Sequence, residues 1–187
     1  NGSKIYGPKG VGFLYKRSGV KIKPQIIGGG QEMRMRSGTE PVALIVGLAE
    51  ALKIAQEEKK AETNRLTPLR NYFISETIRR IPKVVLNGHS AKRLPNNINI
   101  SIPGINGEEM VIRLDAQGVA CSTGSACASQ SSEPSHVILS LGLSSEIANS
   151  SLRLTMGRST TKEDLDYVLK QFSAIINKLH GTRNKKT

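Results

Sequence analysis

Asn97-Ile98-Asn99-Ile100-Ser101-Ile102 alternates without a break. Three isoleucines at every second position give one apolar face, and Asn97, Asn99 and Ser101 give a polar one. That is the pattern of a strand buried on one side only. Downstream, Asn106 with Glu109 three residues on has capping-box spacing, and Gly118 supplies a helix stop, so residues 108–117 are expected to form a helix. Residues 119–121, Val-Ala-Cys, read as a short strand running into a small, polar stretch that holds Cys127. Glu133-Pro134-Ser135 opens a helix reaching Leu141, with Gly142 after it. Ser151-Leu152-Arg153-Leu154-Thr155-Met156 alternates again and sets Arg153 and Thr155 on the side that does not join the core. Thr160-Thr161 caps a last helix whose buried stripe is Leu165, Val168, Leu169, Phe172, Ile175 and Leu179.

Working upstream, residues 84–86 make a short strand. Pro41 is a good first helical residue, and Leu44, Ile45, Leu48, Ala51, Leu52 and Ala55 recur at helical spacing. Thr67-Pro68 has the form of an N-cap followed by proline, so a break or kink is expected there. A second helix then carries Leu69, Phe73, Ile74, Ile78 and Ile81, and Pro82 ends it. Residues 11–16 and 20–27 read as two strands joined at Ser18-Gly19, with Pro24 suited to an edge. Gly28-Gly29-Gly30 and a polar loop bearing Arg34 and Arg36 follow. The fold class is therefore α/β, in the form of an α+β domain with helices laid against a small mixed sheet. The expected division is residues 1–40 as the end of another domain, 41–64 as a linking helix, 65–181 as a small C-terminal domain and 182–187 as a basic, disordered tail.

With 187 residues and 37% apolar content, the chain can build one ordinary core. Two cysteines, Cys121 and Cys127, cannot form a disulfide framework. Their spacing, and that of His89, His136 and His180, is no usual zinc pattern, so no metal site is expected. A reducing cytoplasm fits best. No apolar run is long enough to span a membrane, and the first residues lack the apolar stretch of a signal peptide. The start lacks Met and enters a strand almost at once, so a preceding segment is expected. The net charge of +12 attracts acidic partners or RNA, or simply solvates the surface. Three Phe, four Tyr and no Trp leave little for base stacking, which argues against single-strand binding.

Two residues and one short stretch invite chemistry on local grounds, and each has a plainer reading. Cys127 sits among Gly, Ser, Ala and Gln, where a thiol can move, yet a lone cysteine is commonly packing. Arg153 is either a solvent-facing or a ligand-facing arginine. Arg36-Ser37-Gly38-Thr39 has donors for an anion, or is a turn.

Taken together, four segments resemble the pyridoxal-phosphate-dependent cysteine desulfurases of the NifS/IscS type, in the class V aminotransferase family of fold type I. They are residues 2–10 (Gly-Ser-Lys-Ile-Tyr-Gly-Pro-Lys-Gly), residues 36–39, residues 123–127 (Thr-Gly-Ser-Ala-Cys) with Glu133-Pro134-Ser135 beyond, and residues 151–158 (Ser-Leu-Arg-Leu-Thr-Met-Gly-Arg). The resemblance runs from residue 1 to about residue 180 and implies the C-terminal half of such an enzyme. Residues 1–40 would then be a remnant hairpin of the large cofactor-binding domain.

It implies roles as well. Lys4 would hold pyridoxal 5'-phosphate and shuttle protons at the substrate Cα. Ser3, where the family commonly has His, and Thr39 would contact the cofactor, Thr39 from the neighbouring subunit of a homodimer. Arg153 would pair with the carboxylate of L-cysteine. Cys127 would receive the sulfur as a persulfide, touch an iron–sulfur cluster on a partner in passing, and hand sulfur to an iron–sulfur scaffold or a tRNA-thiolation acceptor. Direct nucleic-acid binding is not expected. The missing half would supply the ring stack, the partner of the pyridine nitrogen and most of the phosphate cup, so the fragment alone is expected to be inactive. A selenocysteine lyase is the nearest alternative, and a basic binding module without catalysis the more distant one.

Overall fold

The computed structural model describes residues 1–124 and 133–183. These fall into two compact units, residues 1–60 and the described residues from 61 onward.

In the first unit, Gly2–Lys4 is a single 3-10 turn capped by Asn1, whose side chain accepts from the Ser3 backbone N–H. Gly2 is its hub. Its N–H donates to the Val11 carbonyl, and its own carbonyl accepts from Ile5 and Gly7. A Cβ there would lie 2.7 Å from the Pro8 carbonyl oxygen and 3.3 Å from Leu48. Residues 11–27 turn at 17–20 but pair in no ladder, so the expected hairpin does not form. The physical reason is on the side chains. Phe13, Leu14, Tyr15, Val20, Ile22, Ile26 and Ile27 are all exposed, and two strands without a third layer to cover are marginal.

The long helix α1, Val42–Arg80, runs through Pro68 without a break. The proline removes the N–H that the Asn64 carbonyl would accept, a loss worth about 3 kcal/mol in an ordinary helix. Asn64 and Pro68 both lie on the exposed side, so water can satisfy that carbonyl. Meanwhile Leu66, Phe73 and Ile74 are buried on either side of the proline, and their burial carries the helix on through it.

In the second unit, β1 (Val85–Leu86), β2 (Asn97–Ser101) and β3 (Ser151–Thr155) form an antiparallel sheet in the order β1-β2-β3, rather than the mixed sheet expected. Helix α2 (Gly107–Asp115) is capped by Asn106, and Gly118, in the left-handed region, turns the chain out of it. Short helices α3 (His136–Leu139) and α4 (Ser145–Asn149) follow, and α5 (Lys162–Arg183) closes the unit. Helix α5 thus runs two residues into the expected tail. The pattern did not disclose α4, although Ser144 caps it through its hydroxyl.

Residues 119–121 contribute no named strand. The pairing falls one residue later, as a bridge between Ser122 and Arg153. One core joins Ile98, Ile100, Leu152 and Leu154 of the sheet to Phe73 and Ile74 of α1, Met110 and Leu114 of α2, and Leu169, Phe172 and Ile176 of α5. Phe73 and Phe172 meet edge to face at 6.1 Å. Arg65 ties the chain before α5 to α1, donating to the carbonyls of Gly157 and Thr160 while its other edge grips Glu62.

Candidate active site

The polar face of the sheet is organised in rows. Val85 opposes Ser101 and Leu86 opposes Ile100, and the Asn87 N–H continues that register by donating to the Asn99 carbonyl. Asn99 opposes Arg153, and Arg153 opposes Ser122. Residues opposite one another share a face, so Asn87, Asn99, Arg153 and Ser122 make one polar row across the sheet. Arg153 exchanges both backbone hydrogen bonds with Ser122, at 2.7 and 3.2 Å. Its backbone groups therefore point away from Asn99. Asn99 and Arg153 form the narrow, non-hydrogen-bonded kind of pair, with Cα atoms about 4.5 Å apart and side chains close.

The side chain of Arg153 is half-buried while Leu152 and Leu154 on either side of it face the core, as the alternation predicts. Among the described residues its guanidinium has no partner.

Behind the row lies a clamp of buried polar groups. Asn87 is buried and its amide donates to Asn99 Oδ1 at 2.7 Å and to Ser101 Oγ at 2.9 Å. Ser101, also buried, donates its own hydroxyl to the Ile147 carbonyl at 2.8 Å. Arg93 donates to the Asn87 carbonyl, and the buried Arg70 of α1 holds the carbonyls of Arg93 and Leu94. Burial and the neighbouring Arg70 charge push the Arg93 pKa down.

The segment leaving Ser122 is pinned in turn, because Ser151 donates its hydroxyl to the Thr123 carbonyl at 2.7 Å. Gly107 makes that seat possible: a Cβ there would meet the carbonyl oxygens of Ser151 and Asn149 at 2.8 and 2.9 Å and the Thr123 methyl at 3.1 Å. Cys127, five residues beyond Ser122, lies outside the described residues. Cys121 is half-buried against the core, and burial, reinforced by the Asp115 charge, pushes its thiol up to about 11. It stays protonated at neutral pH and is a poor nucleophile.

In the first unit, Lys4 is exposed at the end of its turn, and among the described residues its amine has no partner. Ser3 is exposed and donates its hydroxyl to Asn1 Oδ1. Thr39 is exposed one residue after Gly38. Arg36 folds back onto the Ser37 carbonyl, and buried Ser37 ties to the Gly29 carbonyl, so residues 36–38 are at least a self-supporting turn. Among the described residues no cluster of His, Cys, Asp and Glu could hold a metal ion, and no helix is long and apolar enough to cross a membrane.

Residues 1–168 match the family described as Aminotransferase class-V. The chain belongs to that family. Among class-V relatives, "Cysteine desulfurase IscS" of Dictyoglomus turgidum is 52% identical over 176 residues, which cover 94% of this chain and 45% of the relative. A cysteine desulfurase of Archaeoglobus fulgidus is 46% identical over 177 residues, covering 95% and 46%. A solved "NifS-like protein" is 34% identical with a TM-score of 0.81, covering 93% of this chain and 44% of that one. A NifS-like protein from Rickettsia africae is 28% identical with a TM-score of 0.74. The chain thus spans under half the length of the curated class-V relatives it matches.

Sequence reasoning placed Arg153 on its correct face but missed its neighbours in the row. The signal for Asn99 was present in the alternation of residues 97–102. Asn87 and Ser122 carried none, since only long-range register puts them beside it.

Proposed function

We propose that the chain is the C-terminal part of a pyridoxal-phosphate-dependent cysteine desulfurase that works as a homodimer in the cytoplasm. It converts L-cysteine to L-alanine and passes the sulfur, through a persulfide on Cys127, to an iron–sulfur scaffold or tRNA-thiolation acceptor. One observation carries the reading: Arg153, whose guanidinium has no partner among the described residues, stands on the polar face of the sheet in a chain about half identical to proteins named cysteine desulfurase.

The donor set suits the cofactor. The exposed amine of Lys4 and the exposed hydroxyls of Ser3 and Thr39 are the groups an aldehyde-bearing phosphate calls for. When bound, pyridoxal phosphate supplies an electron sink for the substrate Cα. Arg153 holds the substrate carboxylate with its planar fork. Lys4 takes the Cα proton and later returns it. Cys127, as a thiolate, attacks the substrate sulfur. The S–S bond forms as the C–S bond breaks, its electron pair goes to Cβ, and protonation there releases alanine. Cys121 takes no part, because burial keeps its thiol protonated.

The test is mass spectrometry of the full-length protein after incubation with pyridoxal phosphate and L-cysteine. A gain of one sulfur atom is expected, lost in Cys127→Ser and kept in Cys121→Ser. An adduct that survives Cys127→Ser sinks the assignment. Turnover of selenocysteine with no sulfur adduct from cysteine turns the reading to a selenocysteine lyase. Salt-dependent RNA binding untouched by Cys127→Ala, with no adduct at all, turns it to a basic binding module.

A further inference from the structure

Two donors without a partner among the described residues stand side by side on the polar face, and hydrogen-bond logic fixes the second of them. Ser101 Oγ lies 2.8 Å from the Ile147 carbonyl oxygen, so the hydroxyl hydrogen must sit between these two acceptors. Ser101 Oγ can then only accept from Asn87 at 2.9 Å, which makes the contacting Asn87 atom the amide nitrogen. The same nitrogen lies 2.7 Å from the Asn99 side chain, so the Asn99 atom facing it must be the carbonyl oxygen. The orientation of Asn99 is therefore dictated from the Ile147 carbonyl outward. Its Nδ2 is turned away from Asn87, and among the described residues it has no partner. Its cross-strand neighbour in the narrow pair is Arg153, whose guanidinium is also unpartnered. Two donor groups cannot satisfy each other. Both side chains are partly exposed, so water can serve each of them, and an anion with two oxygens can take the place of that water and bridge both.

We infer that Asn99 is a second donor to the substrate carboxylate, beside Arg153, held in its donating orientation by Asn87 and Ser101. The inference rests on the carboxylate role proposed for Arg153 and adds a residue to it. Arg153 supplies charge and a planar fork, and Asn99 supplies a neutral donor of fixed direction at the base of the same row. Ligands that lack a carboxylate gain nothing from either.

The test uses the full-length protein loaded with pyridoxal phosphate. Asn99→Asp keeps an oxygen for the Asn87 amide and replaces the free donor with an acceptor. The KM for L-cysteine is expected to rise about tenfold or more, the loss of one charge-assisted hydrogen bond, with kcat changed less than about threefold. Calorimetric binding supplies a readout independent of turnover. 3-Mercaptopropionate, which has the carboxylate but no amine, should bind about tenfold more weakly to Asn99→Asp. Cysteamine, which has the amine but no carboxylate, should bind alike to both. Equal weakening of the two ligands would make Asn99 a structural residue and overturn the inference, as would no weakening of either. Asn99→Ser carries the same expectations should Asn99→Asp fail to fold. Arg153→Gln separates the layers. If it leaves 3-mercaptopropionate binding intact, the carboxylate reading of Arg153 falls and Asn99 with it. If it weakens binding while Asn99→Asp does not, only the Asn99 inference falls.

Discussion

Removing the Asn87 amide should cost more than a single hydrogen bond, and the cost should be shared with Ser101. Asn87→Ala deletes two bonds, to Asn99 Oδ1 at 2.7 Å and to Ser101 Oγ at 2.9 Å. At about 1 kcal/mol net for each, plus a small void beside a buried site, the expected loss is about 2–3 kcal/mol. Ser101→Ala deletes the bond from Asn87 and the hydroxyl bond to the Ile147 carbonyl, an expected loss of about 1–2 kcal/mol. The two variants share one bond, so the double variant should lose less than the sum of the singles by about 1 kcal/mol. The assay is urea unfolding followed by far-UV circular dichroism, with midpoints compared at constant slope. Strict additivity would mean that the Ser101 hydroxyl and the Asn87 amide are not bonded, and nothing would then fix the Asn99 amide in its outward orientation.

Other outcomes can be checked on the same chain. Gly107→Ala would gain helix propensity, yet its Cβ meets two backbone carbonyls at under 3 Å, so a net loss of about 1–3 kcal/mol is expected in urea. Hydrogen bonds from Arg79 and Arg80 hold the Glu76 carboxyl at about 2, below its ordinary 4.5. A depressed folded-state pKa stabilises the fold above the ordinary value and loses that stabilisation as pH falls toward 2. The stability advantage of the natural protein over Glu76→Gln should therefore be full near pH 6 and shrink between about pH 4.5 and 2; a pH-independent difference would contradict it. Cys121 behaves in the opposite sense. Its thiol titrates near 11 in place of 9.0, so it contributes stability that is present below pH 9 and lost as pH rises toward 11, and Cys121→Ala should flatten that alkaline limb. Alkylation of Cys121 by iodoacetamide at pH 7.5 should be slower than that of an unfolded control.

Local pattern carried much of this fold and little of its wiring. The alternation of residues 97–102 and 151–156 placed β2 and β3 and sorted their faces, because period two is a property of the strand itself. The face of Arg153 followed directly. The row that surrounds Arg153 did not, because register between segments fifty residues apart is set by the whole core. The break expected at Pro68 does not occur, for a related reason: the rule against proline inside a helix is local, while burial of Leu66 and Phe73 on either side is tertiary. The pair of strands expected over residues 11–27 failed in the other direction, since β-pattern without a surface to cover does not pair. The roles proposed for Lys4, Ser3, Thr39 and Cys127 rest on the family resemblance, which four separated segments carry together and no single stretch carries alone.

The long connection between β2 and β3 also bears on how the row comes together in time. Asn87 and Asn99 are twelve residues apart and can meet early, closing a short loop at small entropic cost. Ser101 and Ser151 are fifty apart, and their pairing must enclose α2, α3, α4 and the segment bearing Cys127 before Arg153 reaches its place. Contacts of such separation are slow to form. The arginine thus arrives last, at an amide whose orientation also waits on the Ile147 carbonyl, which belongs to the same late closure. Loop closure, alignment of Asn99 and arrival of Arg153 become one folding event, so a chain that has failed to close that loop presents neither donor.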